Sequence, residues 1–190
     1  MKVCITGGIA SGKSLLSHYL NDLGVATVDA DDIVHELIPQ EERERLRSIV
    51  FKNPEARKEL EARIHPLVRQ KILSAIEGAE GQESGVKGDC PHSPYPLPPI
   101  AVIPLLFEVQ WEKDYDIIIC ILSSREKQIE RMMSLRGYTR EEAEARLAAQ
   151  MDPAIKAAKS DYVILNDSTD EDLKAEARKL VDYLVSRSQA

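Results

Sequence analysis

Gly7-Gly8-Ile9-Ala10-Ser11-Gly12-Lys13-Ser14, close to the start of the 190-residue chain, decides how the rest is read. The stretch satisfies the phosphate-binding pattern G-x-x-x-x-G-K-[ST] at every fixed position. Before it, Val3-Cys4-Ile5 is a short apolar run of the kind that forms a buried strand; after it, Leu15, Leu16, Tyr19 and Leu20 recur at helical spacing. A strand feeding a glycine loop and then a helix aims backbone N–H groups and the positive end of the helix dipole at one point. Glycines let that backbone close on a polyphosphate without Cβ clashes. In such a loop Lys13 reaches the β- and γ-phosphates of a nucleoside triphosphate and the Ser14 hydroxyl ligates Mg²⁺. Gly7, Gly8, Ile9, Ala10, Ser11, Gly12, Lys13, Ser14 and Leu15 are therefore the candidate nucleotide-binding residues. The loop names the phosphate donor and leaves the acceptor open.

Composition limits the remaining classes. A net charge of −7 argues against a broad nucleic-acid or acidic-membrane surface, so a phosphate site must be a local basic focus. The longest apolar candidate, Ile117 to Leu122, is far too short to span a membrane, and Gly7 and Gly8 interrupt the N-terminal apolar run that a signal peptide needs. Cys4 and Cys120 sit in apolar runs and Cys90 in a Pro/Gly-rich stretch, which predicts neither a disulfide framework nor a zinc site and points to the cytoplasm.

In order along the chain, a helix from Lys13 to about Leu23 ends at Gly24, and Val25 to Val28 forms a second strand. That strand delivers Asp29-Ala30-Asp31-Asp32 to the edge where such sheets bind ligands. One aspartate can cap the following helix, Asp29 being as suited to that as to chemistry. Asp31 is better placed to accept a proton from an acceptor hydroxyl or to hold a metal-bound water. Pro39 stops the helix, and Glu41 to Phe51 reads as a solvated helix with Leu46, Ile49 and Val50 inward. Another helix runs from about Glu55 to Ile64 and breaks at His65-Pro66, with Pro66 opening the next helix, Leu67 to about Ala79. His65 then stands at a helix junction, as a capping or core histidine or as a ligand. Residues 78–99 are too rich in Gly, Ser and Pro for helix or central strand and predict a disordered surface loop.

Ile100 to Ile103 is a third strand running into Pro104-Leu105-Leu106-Phe107-Glu108, an apolar turn ending in a carboxylate that could line an acceptor pocket; core packing accounts for at least one of its leucines. Tyr115 to Leu122 is a fourth strand, apolar throughout and so central and parallel. Ser123 or Ser124 caps a helix from Arg125 to about Leu135. Arg131, Arg136, Arg140 and Arg146 then cluster around a turn in which Thr139 and Glu142 form a capping box. Such arginines suit a lid over transferring phosphates, spanning about 125–150, with Arg136 and Arg140 as the candidate catalytic pair. Surface pairing with Glu130, Glu141, Glu142 and Glu144 is the alternative for some of them. Gln150 to Lys159 is helical, Asp161 to Leu165 is a fifth strand ending at Asn166-Asp167-Ser168, and Asp170 to about Ser186 is a final amphipathic helix.

In order and spacing, Thr6 to Ser14, Asp29 to Asp31, His65-Pro66, Pro104 to Glu108, Arg136, Gln150, Lys156 and Asp161 to Asn166 resemble the dephospho-coenzyme A kinases over nearly the whole chain. The resemblance implies ATP- and Mg²⁺-dependent phosphorylation of the ribose 3′-hydroxyl of dephospho-coenzyme A, the last step of coenzyme A synthesis. It also implies a three-layer α/β P-loop kinase fold in one domain. A five-stranded parallel sheet would carry helices on both faces, with an acceptor-binding helical region at about 33–80 and a helical lid. Carried over by position, Asp31 matches the base and Arg136 the lid residue near ATP, Asn166 lies in the turn that borders adenine, and His65, Leu105, Leu106, Phe107 and Glu108 lie on the acceptor side. With the loop's Lys13 and with Arg140, Asp31 and Arg136 make up the candidate catalytic set. No nucleic-acid or membrane partner is implied, and a monomer is favoured. The chain departs from the family pattern at Ala10, in place of a glycine and tolerable if its φ is negative. It departs again at Leu15, at Val102, in a shortened stretch between Ile38 and Arg47, and in the lengthened 78–99 segment. Another small-molecule kinase, or a nucleotide-binding module without catalysis, are the competing readings; a GTPase is not, because an N-K-x-D motif is missing.

Overall fold

The computed structural model describes residues 1–50, 53–78 and 95–189. Most of the expected 78–99 loop, with Cys90, lies outside the described residues, as do Phe51 and the side chains of Ile49 and Val50.

The strands are β1 (Val3–Gly7), β2 (Thr27–Asp29), β3 (Ile100–Val102), β4 (Ile117–Leu122) and β5 (Tyr162–Leu165). All pair in parallel, in the order β2-β3-β1-β4-β5. β1 is thus the middle strand, and the phosphate-loop residues leave it at the C-terminal edge of the sheet, next to the order reversal where open parallel sheets bind ligands. The helices are α1 (Lys13–Asp22), α2 (Ala30–Leu37), α3 (Gln40–Val50), α4 (Pro54–Gly78), α5 (Arg125–Arg136), α6 (Arg140–Ala148), α7 (Pro153–Ala158) and α8 (Asp170–Ser188).

Side-chain alternation in the strands makes two cores. Val3, Ile5, Ile119 and Ile121 turn to one face and pack with Leu16 and Leu20 of α1 and Leu173, Leu180 and Leu184 of α8. Cys4, Ala101 and Ile118 turn to the other, where Ile33 of α2, Val68, Ile72 and Ile76 of α4, and Leu106, Phe107 and Trp111 cover them. A third cluster, Ile129, Met132 and Ala143, joins α5 to α6 and takes in Ile9 and Ala10 of the loop. The three-layer arrangement and the five-stranded parallel sheet are those expected.

Local signals held where the chemistry was short-range. Gly24 ends α1 with φ 85°, and the Val25 N–H bonds the Leu20 carbonyl at 2.8 Å. Thr139 and Glu142 form their capping box. Three readings are corrected. First, helix α4 does not break at His65-Pro66; it runs from Pro54 to Gly78 with Pro66 inside. Burial of Val68, Ile72 and Ile76 along one face outweighs the hydrogen bond that proline deletes. His65 therefore sits on a helix face, its ring edge-on to Trp111 with centroids 5.8 Å apart. Second, Ser124 is the N-cap of α5 but its hydroxyl caps nothing; its N–H is instead held by the Asp167 carboxylate at 2.7 Å. Third, Ala10 has φ +55°, so the negative φ expected of it is not adopted.

Candidate active site

The loop between β1 and α1 is held almost wholly through its carbonyls. Lys13 Nζ donates to the carbonyls of Gly7 at 2.9 Å and Gly8 at 2.8 Å. Gln128 Nε2 donates to the Ile9 carbonyl at 2.7 Å, Arg131 Nη1 to Ala10 at 3.2 Å and Asn166 Nδ2 to Ser11 at 2.8 Å. The Gly12 carbonyl accepts from the Leu16 N–H at 2.9 Å. With each carbonyl from Gly7 to Gly12 engaged, α1 begins at a Gly12 N-cap without a side-chain cap, its first-turn N–H groups available to an anion. Gly12 has φ +108°, and a Cβ there would overlap the Asn166 amide; glycine is obligatory for both reasons.

The loop faces a cavity of about 610 Å³. Ile9, Ala10, Gly12, Lys13, Ser14 and Leu15 line it on one side, and Asp29, Asp31, Pro104 and Leu105 on another. Arg131, Leu135, Arg136, Gln150, Asn166 and Asp170 complete the wall. Asp29 Oδ1 accepts the Asp31 N–H at 2.8 Å and so caps α2, leaving the Asp31 carboxylate exposed to the cavity without that duty. Burial, then the neighbouring Asp31 and Asp32 charges, raise the Asp29 pKa against the N–H that lowers it. Burial also lowers the Lys13 ammonium to about 8, with the Lys156 charge pushing the same way and Asp31 and Asp29 opposing.

The remaining expected site residues divide. Arg136 reaches the cavity wall, whereas Arg140 is exposed and paired with Glu126 and, at 3.5 Å, with Glu144, the surface pairing foreseen for some of these arginines. Of the acceptor-side turn, Leu105 faces the cavity. Leu106 and Phe107 are buried in the core at 0% and 4% exposure, and Glu108 turns to Lys156. His65 packs on Trp111 and is not among the residues lining the cavity.

Sequence reasoning named Arg131 among the lid arginines, Gln150 by resemblance and Asn166 as a nucleotide-binding residue, but gave none of them the task of holding the loop, and it missed Gln128 altogether. Gln128 is 2% exposed, and Arg131 also donates to Ser123 Oγ at 2.7 Å and to the Asn166 carbonyl at 2.8 Å. Gln150 Oε1 accepts the Ile9 N–H at 2.8 Å, opposite the bond from Gln128 to the same residue. The available signal was spacing: Gln128, Arg131 and Leu135 fall at i, i+3 and i+7 on one helix face.

The family model described as Dephospho-CoA kinase matches residues 1–43 and 40–172, in two pieces that meet inside the stretch read as shortened. The Dephospho-CoA kinase of Geobacter sulfurreducens is 37% identical over 194 residues, covering 90% of this chain and 91% of its own. That of Geobacillus kaustophilus is 34% identical over 196 residues, covering 92% of each chain. Among solved structures, the dephospho-CoA kinase from Campylobacter jejuni superposes with a TM-score of 0.70 at 28% identity, covering 99% of this chain and 100% of its own.

Proposed function

The chain belongs to the dephospho-CoA kinase family, and on that premise we propose how its residues carry the γ-phosphoryl group of ATP to the ribose 3′-hydroxyl of dephospho-coenzyme A. The reaction yields coenzyme A and ADP. One observation carries the assignment of roles: Lys13, Ser14, Asp31 and Arg136 line a single cavity beneath the uncapped start of α1.

The loop N–H groups and the Lys13 ammonium bind the β- and γ-phosphates, with Asn166, Gln128 and Arg131 keeping the loop carbonyls turned away from the anion. Asp31 accepts the proton of the 3′-hydroxyl as its oxygen bonds to phosphorus and the bond from the γ-phosphorus to the β–γ bridging oxygen breaks. Asp29 is held by its capping bond, which makes Asp31 the carboxylate free to do this. Arg136, on the cavity wall, neutralises charge on the transferring group, and Arg140 joins it if the lid closes and releases Glu126. Leu105, on the side of Asp31, contacts the acceptor.

The donor set suits Mg²⁺: the Ser14 hydroxyl and the Asp29 and Asp31 carboxylates share the cavity. Among the described residues no cluster of three or more His, Cys, Asp or Glu forms a cage, so the ion would be held by Ser14, a carboxylate and the nucleotide itself. When bound, the ion neutralises the β- and γ-oxygens. The reading extends to one domain, with an acceptor region at about 33–80 and a lid at about 125–150, acting as a cytoplasmic monomer without nucleic acid or membrane. The net charge of −7 argues against a broad nucleic-acid or acidic-membrane surface. No helix among the described residues is long and apolar enough to cross a membrane.

Coupled measurement of ADP production by the purified protein, with and without dephospho-coenzyme A, tests the proposal. ADP release dependent on that acceptor is expected. Equal release with a nucleoside would assign a different kinase, and ATP binding without acceptor-dependent turnover would leave a nucleotide-binding module.

A further inference from the structure

Helix α7 partitions its side chains the wrong way round for stability. Ile155 is 49% exposed while its neighbour Lys156 is fully buried at 0%. Desolvating an ammonium is costly, and an apolar residue in its place would ordinarily be as stable or more so. What Lys156 touches explains the inversion. Its Nζ lies 2.7 Å from Glu108 Oε1 and donates to the Pro104 carbonyl at 2.9 Å, so one ammonium clasps the first and last residues of the Pro104–Glu108 turn.

Two more segments meet there. Thr6 Oγ1, at the end of β1, donates to the same Pro104 carbonyl at 3.4 Å. The Met151 N–H donates to Glu108 Oε1 at 3.2 Å, beside the Gln150 that holds Ile9. The second carboxylate oxygen, Glu108 Oε2, is buried without a hydrogen-bond partner, which is not how a pair selected for stability alone is built. Within the clasped turn, Leu106 and Phe107 anchor in the core while Pro104 and Leu105 form cavity wall across from the phosphate loop.

We propose that Lys156 is a positioning residue for phosphoryl transfer: by closing the Pro104–Glu108 turn onto the end of β1, it sets the acceptor wall against the phosphate loop. The inference rests on the kinase reading above. It assigns Glu108 to holding the turn and predicts that the pair governs the acceptor more than ATP.

The test uses Lys156→Met, Glu108→Gln and the double variant, in which neither partner is left as an unpaired buried charge. Trp111, the single tryptophan of the chain and a neighbour of Leu106 and Phe107 in the core, reports through its emission whether the fold is kept. In a double variant with native-like emission, KM for dephospho-coenzyme A should rise about tenfold, with ATP affinity by calorimetry within about twofold of the unaltered protein. An unchanged acceptor KM in that folded variant would overturn the proposal, and so would a parallel loss for ATP and acceptor. Should Lys156→Met alone fail to fold, the double variant decides. Turnover by the unaltered protein is measured first; its absence would sink the kinase reading, whereas normal turnover with an indifferent double variant sinks this inference alone.

Discussion

Asn166 and Ser11 are joined across the ligand edge of the sheet, the Asn166 side-chain amide donating to the Ser11 carbonyl at 2.8 Å. The contact fixes the loop by a residue more than 150 positions away in sequence, and it occupies the space a Cβ on Gly12 would need. Gly12→Ala should therefore lower ATP affinity by at least about tenfold, because strain at φ +108° and displacement of Asn166 act together. Asn166→Gly added to Gly12→Ala removes the overlap but not the φ strain, so calorimetry should show partial recovery only.

Ala10, at φ +55°, holds a left-handed conformation that costs an L-residue roughly 1–2 kcal/mol. Ala10→Gly should stabilise the protein by about 1 kcal/mol, after the greater freedom of glycine in the unfolded chain is subtracted. Thermal denaturation should register this as a rise of about 2–4 °C. A fall in the midpoint would mean that contacts of the Ala10 methyl with the α5–α6 cluster outweigh the strain.

Asp31→Asn should bind ATP as the unaltered protein does yet lose kcat by about 10²–10⁴-fold, the usual contribution of a general base. Single-turnover assays with dephospho-coenzyme A measure this directly, and a near-normal kcat would reject Asp31 as the base.

Arg136 and Arg140 make opposite commitments here, the first at the cavity and the second paired with Glu126 and Glu144. Arg136→Ala should reduce turnover by as much as about 10³-fold, by analogy with arginine fingers. Glu126→Ala combined with Glu144→Ala frees Arg140 from both surface partners without touching the cavity, and faster turnover in that variant would show that lid closure draws on Arg140. Normal rates in both Arg136→Ala and Arg140→Ala would remove the lid arginines from the mechanism.

Lys13 sets a pH dependence. Its ammonium sits at about 8 in the folded protein against 10.5 when free. Between those values the unfolded chain holds the extra proton, so stability rises with pH across the window and the penalty is complete below it. Because the side chain is only half-buried, the gain should stay near about 1 kcal/mol. Urea midpoints of the unaltered protein should climb relative to those of Lys13→Met as pH rises from about 8 to about 10. Parallel midpoints for the two proteins would place the Lys13 pKa near its free value.

Sequence alone determined the parts of this protein that rest on local rules. A glycine loop between an apolar strand and an amphipathic helix has one economical conformation, and Gly24 and the Thr139–Glu142 box close helices through bonds a few residues long. The unbroken apolar run ending at Leu122 marked a central parallel strand, the family resemblance supplied the rest of the parallel sheet, and strand ends placed the aspartates and Asn166 at its ligand edge. The tertiary structure decided what depended on competition between distant groups. Apolar burial along α4 overrode Pro66 and carried His65 onto a helix face toward Trp111. Ser124 heads α5 without a side-chain cap, and the Asp167 carboxylate accepts its N–H instead. Gln128 and Arg131 of α5, Gln150 and Asn166 converge on Ile9 to Ser11 from three separate places in the chain. Side-chain polarity cannot announce such convergence, because the same amide or guanidinium is ordinary surface until the fold removes its water and presents a carbonyl instead. Lys156 is the extreme case: a charged residue on a short helix reads as exposed, and the fold alone places it at 0% exposure beneath the turn that faces the phosphate loop.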